Sequence, residues 1–394
     1  MNIVNRWLLP DGVDEVLPPT AATLEKVRRQ LLDTFESWGY ELVIPPMVEF
    51  LESLLTGTGT DLDLKTFKIT DQVSGRMMGI TADITPQVAR IDAHSLNNPG
   101  NVRLCYAGTV LHAKADNMLA SRTPISVGAE LFGDTGPNGD LEIVSLMLAS
   151  VGSVGRQAGR SLHLELGDVG VYRDLIQTAD ISDVDERQLF ELIQNKALPD
   201  LDEKVKTLNL SDELSELISQ LPRLCGDLAV LEEGKTLFKD YPGILQRLNN
   251  LAEVSQSIAS RHVDVDIYFD LSELRGYNYH TGIVFAAYLT GTGTRIAKGG
   301  RYDDVGDVFG RARGATGFDI DIKTLVKHLG EQPAIGNVGP GKVSVAYGLS
   351  SVDRRWEKIC ELRQEGYVVI EGEAAQCEFT LIEAGNEWSL RRND

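Results

Sequence analysis

The chain has 394 residues, and its 58 acidic and 38 basic side chains give a formal net charge of −20. That length exceeds what one hydrophobic core supports, so two or three domains are expected. With 42% hydrophobic and 24% charged residues, the composition is that of a soluble globular protein. The acidic balance argues against a broadly nucleic-acid-binding surface, because phosphate binding draws its free energy from Lys and Arg.

No window approaches eighteen consecutive apolar residues, so no membrane span is expected. Residues 1–7 hold no apolar core of signal length. Cys105, Cys225, Cys360 and Cys377 are scattered, with no CxxC or His/Cys cluster. They read as free thiols in a reducing cytosol, without a zinc site.

In chain order, Leu24, Val27, Leu31 and Phe35 recur at helical spacing after Pro18-Pro19, and Gly39 stops the run. Residues 40–44 read as a strand ended by Pro45-Pro46. Gly57-Thr58-Gly59-Thr60 and Gly291-Thr292-Gly293-Thr294 lack the third glycine and the Gly-Lys-Ser/Thr of a phosphate loop, and read as turns. Thr85-Pro86 predicts a helix start, a hydroxyl cap followed by proline at the first helical position. Val88, Ala89 and Ile91 then fall on its buried face. Residues 102–111 and 124–132 read as strands. The twelve residues between them, 112–123, are long for a hairpin loop, a length often tied to function.

Residues 140–154 form an apolar helix, and Leu162, Leu164 and Leu166 alternate with His163 and Glu165 as a half-buried strand. From about Val171 to Arg261 the texture becomes acidic, Leu-rich and helical, broken by Pro199, Pro222 and Pro242. This stretch reads as an inserted helical domain whose charge is surface charge. Strand alternation returns at Val263, Val265, Ile267 and Phe269 and continues over 283–288. After a Gly/Pro-rich linker at 336–341, a strand (343–349), a helix (352–364) and strands near Val368 and Phe379 form a small α/β unit.

The densest chemistry is Leu274-Arg275-Gly276-Tyr277-Asn278-Tyr279-His280, followed shortly by Lys298-Gly299-Gly300-Arg301-Tyr302-Asp303. Guanidinium, amide, phenols and imidazole at strand ends, with glycines admitting close backbone approach, suit a small polar ligand. On local sequence alone, a tyrosine-rich hairpin with ordinary turn glycines fits as well.

Over roughly residues 1–330 the chain resembles the class II histidyl-tRNA synthetase family. Trp38-Gly39-Tyr40 through Pro45-Pro46 correspond to motif 1 and residues 102–132 to motif 2. Leu274-Arg275-Gly276 and Gly299-Gly300-Arg301-Tyr302-Asp303 correspond to the two histidine-specific motifs, and Ala315-Thr316-Gly317-Phe318 to an outline of motif 3. The resemblance implies an α+β fold, an antiparallel six-stranded sheet flanked by helices, in a dimer. Residues 1–170 and 262–330 would form the synthetase-like core, 171–261 the helical insertion, and 340–394 a separate small domain.

Departures from the family pattern fall on the nucleotide side. The motif 2 arginine that grips the ATP α-phosphate is His112 here, and the acid two positions on is Lys114. The motif 3 arginine for the γ-phosphate is Thr324, and Asp319 and Asp321 stand where small residues would line the adenine pocket. One well-placed arginine in phosphoryl transfer is worth on the order of a thousand-fold in rate, so an active synthetase is not expected.

The amino-acid side is retained by resemblance. Asp83 and Thr85 match the positions holding the α-ammonium, where the family acid is glutamate, and Glu130 matches the acid facing the imidazole. Arg275, Tyr279 and Tyr302 keep their family identities, while Ser126 replaces a glutamine and His280 a second tyrosine. Carboxylate to ammonium, guanidinium to carboxylate and acid to imidazole is chemically suited to zwitterionic histidine. The competing reading makes Glu130 and Arg275 a buried structural ion pair.

A synthetase-like chain with a dismantled ATP site and a short C-terminal unit looks like the ATP phosphoribosyltransferase regulatory subunit family. That resemblance implies a non-catalytic cytoplasmic chain, without cofactor or metal. It would form a dimer within a hetero-octamer with the short-form catalytic subunit, activating it and carrying L-histidine feedback inhibition in the first step of histidine biosynthesis. tRNA is not an expected partner. A residual histidine-activating enzyme and a scaffold with an empty pocket are the alternatives.

Overall fold

The computed structural model describes residues 7–55, 60–115, 120–329, 341–345, 352–371, 377–384 and 387–393. The chain divides into two compact units, Met1–Pro333 and Ala334–Asp394.

The first unit is built on one nine-stranded sheet. In chain order its strands are β1 (Glu41–Leu42), β2 (Val102–Thr109), β3 (Ile125–Phe132), β4 (Leu162–Asp168), β5 (Cys225–Gly226), β6 (Val265–Asp270), β7 (Ile283–Leu289), β8 (Arg295–Arg301) and β9 (Ala315–Asp321). Their spatial order is β1-β2-β3-β9-β8-β7-β4-β6-β5. The six strands from β2 to β4 in that order are antiparallel throughout, which is the sheet the resemblance implied. Edge strands enlarge it: β1 joins β2 in parallel, β6 joins β4 in parallel, and β5 closes the far side against β6.

One face of this sheet is covered by helices α1 (Thr20–Ser37) and α3 (Pro137–Gln157); between them in sequence is the short α2 (Thr85–Arg90). The α1 period predicted from sequence is the buried one, with Leu24, Val27, Leu31 and Phe35 all inward. Phe35 meets Phe318 of β9 edge-on at 5.7 Å between ring centroids. Completely burying Leu31 and Phe35 contributes roughly 1.5–3 kcal/mol each. Because side chains alternate along a strand, residues flanking Phe318 point to the opposite face, and that face carries the site.

Helices α4 (Val169–Gln177) and α5 (Asp183–Gln194) open the helical run that continues to Arg261. It is tied to the sheet through β5.

Several details depart from the sequence reading. The strand expected over 40–44 is shorter, Glu41–Leu42, with a last hydrogen bond from the Val43 N–H to the Cys105 carbonyl at 2.9 Å; Ile44 lies in solvent, and Pro45 and Pro46 have no N–H to continue the ladder. Thr85 does not cap α2: Ile84 occupies the cap position, and the Asp83 carboxylate accepts from the Thr85 backbone N–H at 2.9 Å. Residues 291–294 form the β7–β8 turn, where the Thr292 hydroxyl donates to the Leu289 carbonyl at 2.9 Å. Residues 57–59, 116–119 and 336–340, within the loops and linker read from sequence, lie outside the described residues, as does 346–349 of the expected strand.

The second unit has strands Lys342–Val345, Val368–Glu371, Phe379–Ala384 and Glu387–Arg392 and helix Val352–Gln364. Val343, Val345, Ile359, Leu362, Val369 and Leu381 form its core.

Candidate functional site

Strand register brings the site residues together from distant sequence. Glu130 on β3 lies beside Gly317 on β9, Gly317 beside Gly300 on β8, and Gly300 beside Val284 on β7. The next row on the same face runs Tyr106, Gly128, Asp319, Lys298, Ala286 and Glu165. Gly317 is required by close approach: a Cβ there would overlap the Glu130 carboxylate.

Glu130 is 1% exposed and accepts three hydroxyl donors. Thr85 donates to Oε1 at 2.9 Å, Tyr106 to Oε1 at 3.3 Å, and Tyr302 to Oε2 through a short hydrogen bond. Burial pushes its pKa up to about 8; the Tyr302 and Thr85 hydroxyls pull the other way, and the nearby Asp83 charge adds to the rise. Glu130 is therefore largely protonated at neutral pH, able to donate as well as accept. Tyr302 stacks on Tyr279 at 5.0 Å between centroids and 21° between planes. The Tyr279 hydroxyl is buried and finds no hydrogen-bond partner among the described residues.

The loop carrying Arg275 to His280 is held from both sides. Arg173 of α4 donates to the carbonyls of Tyr277 and His280 at 3.0 and 2.9 Å and lies over the Tyr277 ring. Tyr277 also packs on Tyr172 and on Phe190 of α5. Gly276 has φ +73°, and a Cβ there would strike the His280 ring. Burial lowers the His280 pKa to about 4, so the ring is neutral and donates from Nδ1 to the Arg301 carbonyl at 3.3 Å.

Arg275 does not pair with Glu130. Its Nη2 donates to Glu165 at 2.8 Å, and its Nε donates to both oxygens of Glu273 at 2.8 and 2.7 Å. The Tyr288 hydroxyl also donates to Glu165, at 2.8 Å.

Asp83, Thr85, Glu130, Arg275, Tyr279, His280 and Tyr302 all line one cavity of about 860 Å³. Ser126 lines an adjoining, more open cavity of about 1630 Å³. It shares the Glu130 face of β3 but sits four residues away, about 13 Å along a strand, and pairs with Asp321 across the sheet. The positions that carry nucleotide ligands in the resembled family border this second cavity. His112 Nε2 donates to the Ala82 carbonyl at 3.0 Å, and the Thr324 hydroxyl donates to Asp321 at 2.6 Å. Lys323 is engaged with Asp14 and Thr123. Asp319, whose pKa burial raises, faces Lys298 at 3.7 Å.

Sequence reading missed Glu165, Glu273 and the α5 side chains Glu186 and Phe190, which line the smaller cavity. Glu165 was legible only as the outer half of an alternating strand, although that half faces a cavity and not solvent. The acid two residues before Arg275 was the available signal for Glu273. Arg301, conspicuous in its motif, is structural: it is buried against Asp140 and Asp303 and donates to the carbonyls of Asp134 and Gly136. Among the described residues no group of three or more His, Cys, Asp and Glu side chains is placed to hold a metal ion.

Comparison with known proteins adds four likenesses. Residues 12–325 match the histidyl-tRNA synthetase family. The chain is 47% identical to an ATP phosphoribosyltransferase regulatory subunit of Pseudomonas savastanoi pv. phaseolicola, over 99% of each chain. Among solved structures, it is similar to an ATP phosphoribosyltransferase regulatory subunit/histidyl-tRNA synthetase from Bacillus halodurans C, with TM-score 0.79, 26% identity and coverage of 94% and 93% of the two chains. It also shares the fold of a chain in the ATP phosphoribosyl transferase (HisG:HisZ) complex from Thermotoga maritima, with TM-score 0.58, 19% identity and coverage of 78% and 98%.

Proposed function

Since this chain belongs to the histidyl-tRNA synthetase family and, by its close relatives, to the ATP phosphoribosyltransferase regulatory subunits, we propose that it binds L-histidine in the Glu130 cavity and reports that binding to a catalytic phosphoribosyltransferase subunit. The chain is a regulatory, non-catalytic subunit. Its partner in this proposal is a short-form catalytic subunit, in keeping with the names of its relatives and with the HisG:HisZ complex whose fold it shares. Assembly is a dimer within a hetero-octamer, located in the cytosol, where four free cysteines stay reduced. No tRNA or cofactor enters the reading.

The observation that carries the ligand assignment is the Glu130 cluster. A buried acid that can donate or accept, beside a Tyr279 hydroxyl with no hydrogen-bond partner among the described residues, suits an imidazole, which offers one N–H and one lone pair. Asp83 lines the same cavity as the acid for an α-ammonium, and Arg275 lines it with its guanidinium engaged by Glu165 and Glu273. Thr85 orients Glu130, and Tyr302 and His280 shape the wall. Ser126 borders the outer cavity, where a ligand's acid end would emerge.

Inhibition follows if the inactive assembly binds histidine more tightly than the active one, since a ligand shifts an equilibrium only by its differential affinity. Coupling of roughly 1–3 kcal/mol is typical. Calorimetric titration with histidine tests the site: wild type gives saturable heat, and Glu130→Ala loses it. Equal heat from both proteins removes Glu130 from the site. Unchanged phosphoribosyl transfer by the mixed complex at saturating histidine removes the feedback role.

A further inference from the structure

Arg275 lines the cavity and by resemblance would read a ligand's carboxylate, yet its charge is already answered twice. Glu165 and Glu273 both lie within hydrogen-bond distance of its guanidinium, and Glu273 spans Nε and Nη2. Both acids are well shielded, with side chains 17% and 11% exposed, whereas Arg275 is 47% exposed. The acids are also fixed. Glu165 belongs to β4 and is held by Tyr288, and Glu273 accepts from the Arg275 backbone N–H at 2.7 Å. This cluster sets two carboxyl groups against one guanidinium: burial and the adjoining Glu273 carboxyl raise the Glu165 pKa, while the Arg275 hydrogen bonds hold Glu273 below its ordinary value against the push of burial. A ligand carboxylate reaching its outer edge meets a compensated cation and the field of two acids.

We propose that Glu165 and Glu273 are specificity-determining residues that blind the pocket to its ligand's acid end. Selection then rests on the imidazole and the ammonium, and the ligand class becomes imidazole-bearing amines with or without a carboxylate. The same pair turns Arg275 away from phosphate, independently of the changes at His112 and Thr324. The inference rests on the histidine reading above.

The experiment compares L-histidine with L-histidinol, which keeps the imidazole and ammonium but has an alcohol in place of the carboxylate. Calorimetric dissociation constants are measured on wild type and on the Glu165→Gln/Glu273→Gln double variant. Wild type is expected to bind the two within about threefold. The double variant, with Arg275 released, is expected to prefer histidine by about tenfold or more, the usual worth of a charge-assisted hydrogen bond. Adding Arg275→Ala should abolish that preference. A wild-type preference above about threefold overturns the proposal without recourse to any variant, as does a double variant with no wider preference. If neither compound binds wild type, the histidine reading itself falls, and this inference with it.

Discussion

Glu130 and Tyr302 are 172 residues apart in sequence and share a short buried hydrogen bond at the centre of the cavity. Sheet register creates the meeting: Glu130 is reached across Gly317 and Gly300, and Tyr302 follows β8 directly. Removing that hydroxyl leaves Glu130 with Thr85 and Tyr106 as donors. Tyr302→Phe should therefore lower unfolding free energy by about 1–3 kcal/mol, read from urea denaturation at pH 7, and weaken histidine binding in calorimetry.

Tyr279 should behave oppositely. Its buried hydroxyl has no partner among the described residues, so folding bears its desolvation without return. Tyr279→Phe should leave thermal stability unchanged or raise it by up to about 1–2 kcal/mol. Histidine affinity should fall about tenfold if the hydroxyl meets the imidazole. A variant that loses stability and keeps affinity would assign Tyr279 to the fold alone.

The pH dependence of stability isolates Glu130. Its folded pKa of about 8 lies above the ordinary 4.5, so the folded state holds the proton more tightly. The associated stability is fully present below about 4.5 and is lost as pH rises through about 8. His280, lowered to about 4, acts in the other sense, its contribution being lost as pH falls from about 6.5 through 4. Both proteins in a comparison of wild type with Glu130→Gln retain His280, so its effect cancels. The difference in urea-unfolding free energy should move in favour of the glutamine variant by a few kcal/mol between pH 5 and 8.5, since each tenfold gain in proton affinity on folding is worth about 1.4 kcal/mol. A constant difference would place Glu130 in an ordinary carboxylate environment.

Gly317→Ala tests the register directly. The new methyl must displace the Glu130 carboxylate or part β3 from β9. Overpacking of this kind costs about 1–3 kcal/mol, and histidine binding should be lost. Retained affinity would mean that the carboxylate is not held where the imidazole binds.

Sequence made the scaffold legible where periodicity reflects burial. The inward stripe of α1, the helix Val352–Gln364 and the six antiparallel strands all follow from apolar spacing or from the resemblance. The pocket's polar half was less visible. Residues of β3 are buried on both faces, so alternation did not separate Glu130 from its neighbours. Thr85 reads as a cap but donates to Glu130 instead, a choice decided by tertiary proximity. Arg275 reads as a free ligand; only the fold brings Glu165 from β4 against it. The acidic insertion reads as solvated surface, yet Phe190 and Glu186 of α5 line the cavity.

The central claim is that this chain regulates through a histidine site and performs no chemistry of its own. Its most direct test is the phosphoribosyl-transfer rate of the purified catalytic subunit, measured alone, with this chain, and with this chain plus saturating L-histidine. The predicted result is a rate that rises on adding the wild-type chain and falls with histidine, the fall disappearing with Glu130→Ala. A catalytic subunit indifferent to this chain, or a complex indifferent to histidine bound in the Glu130 cavity, would contradict it.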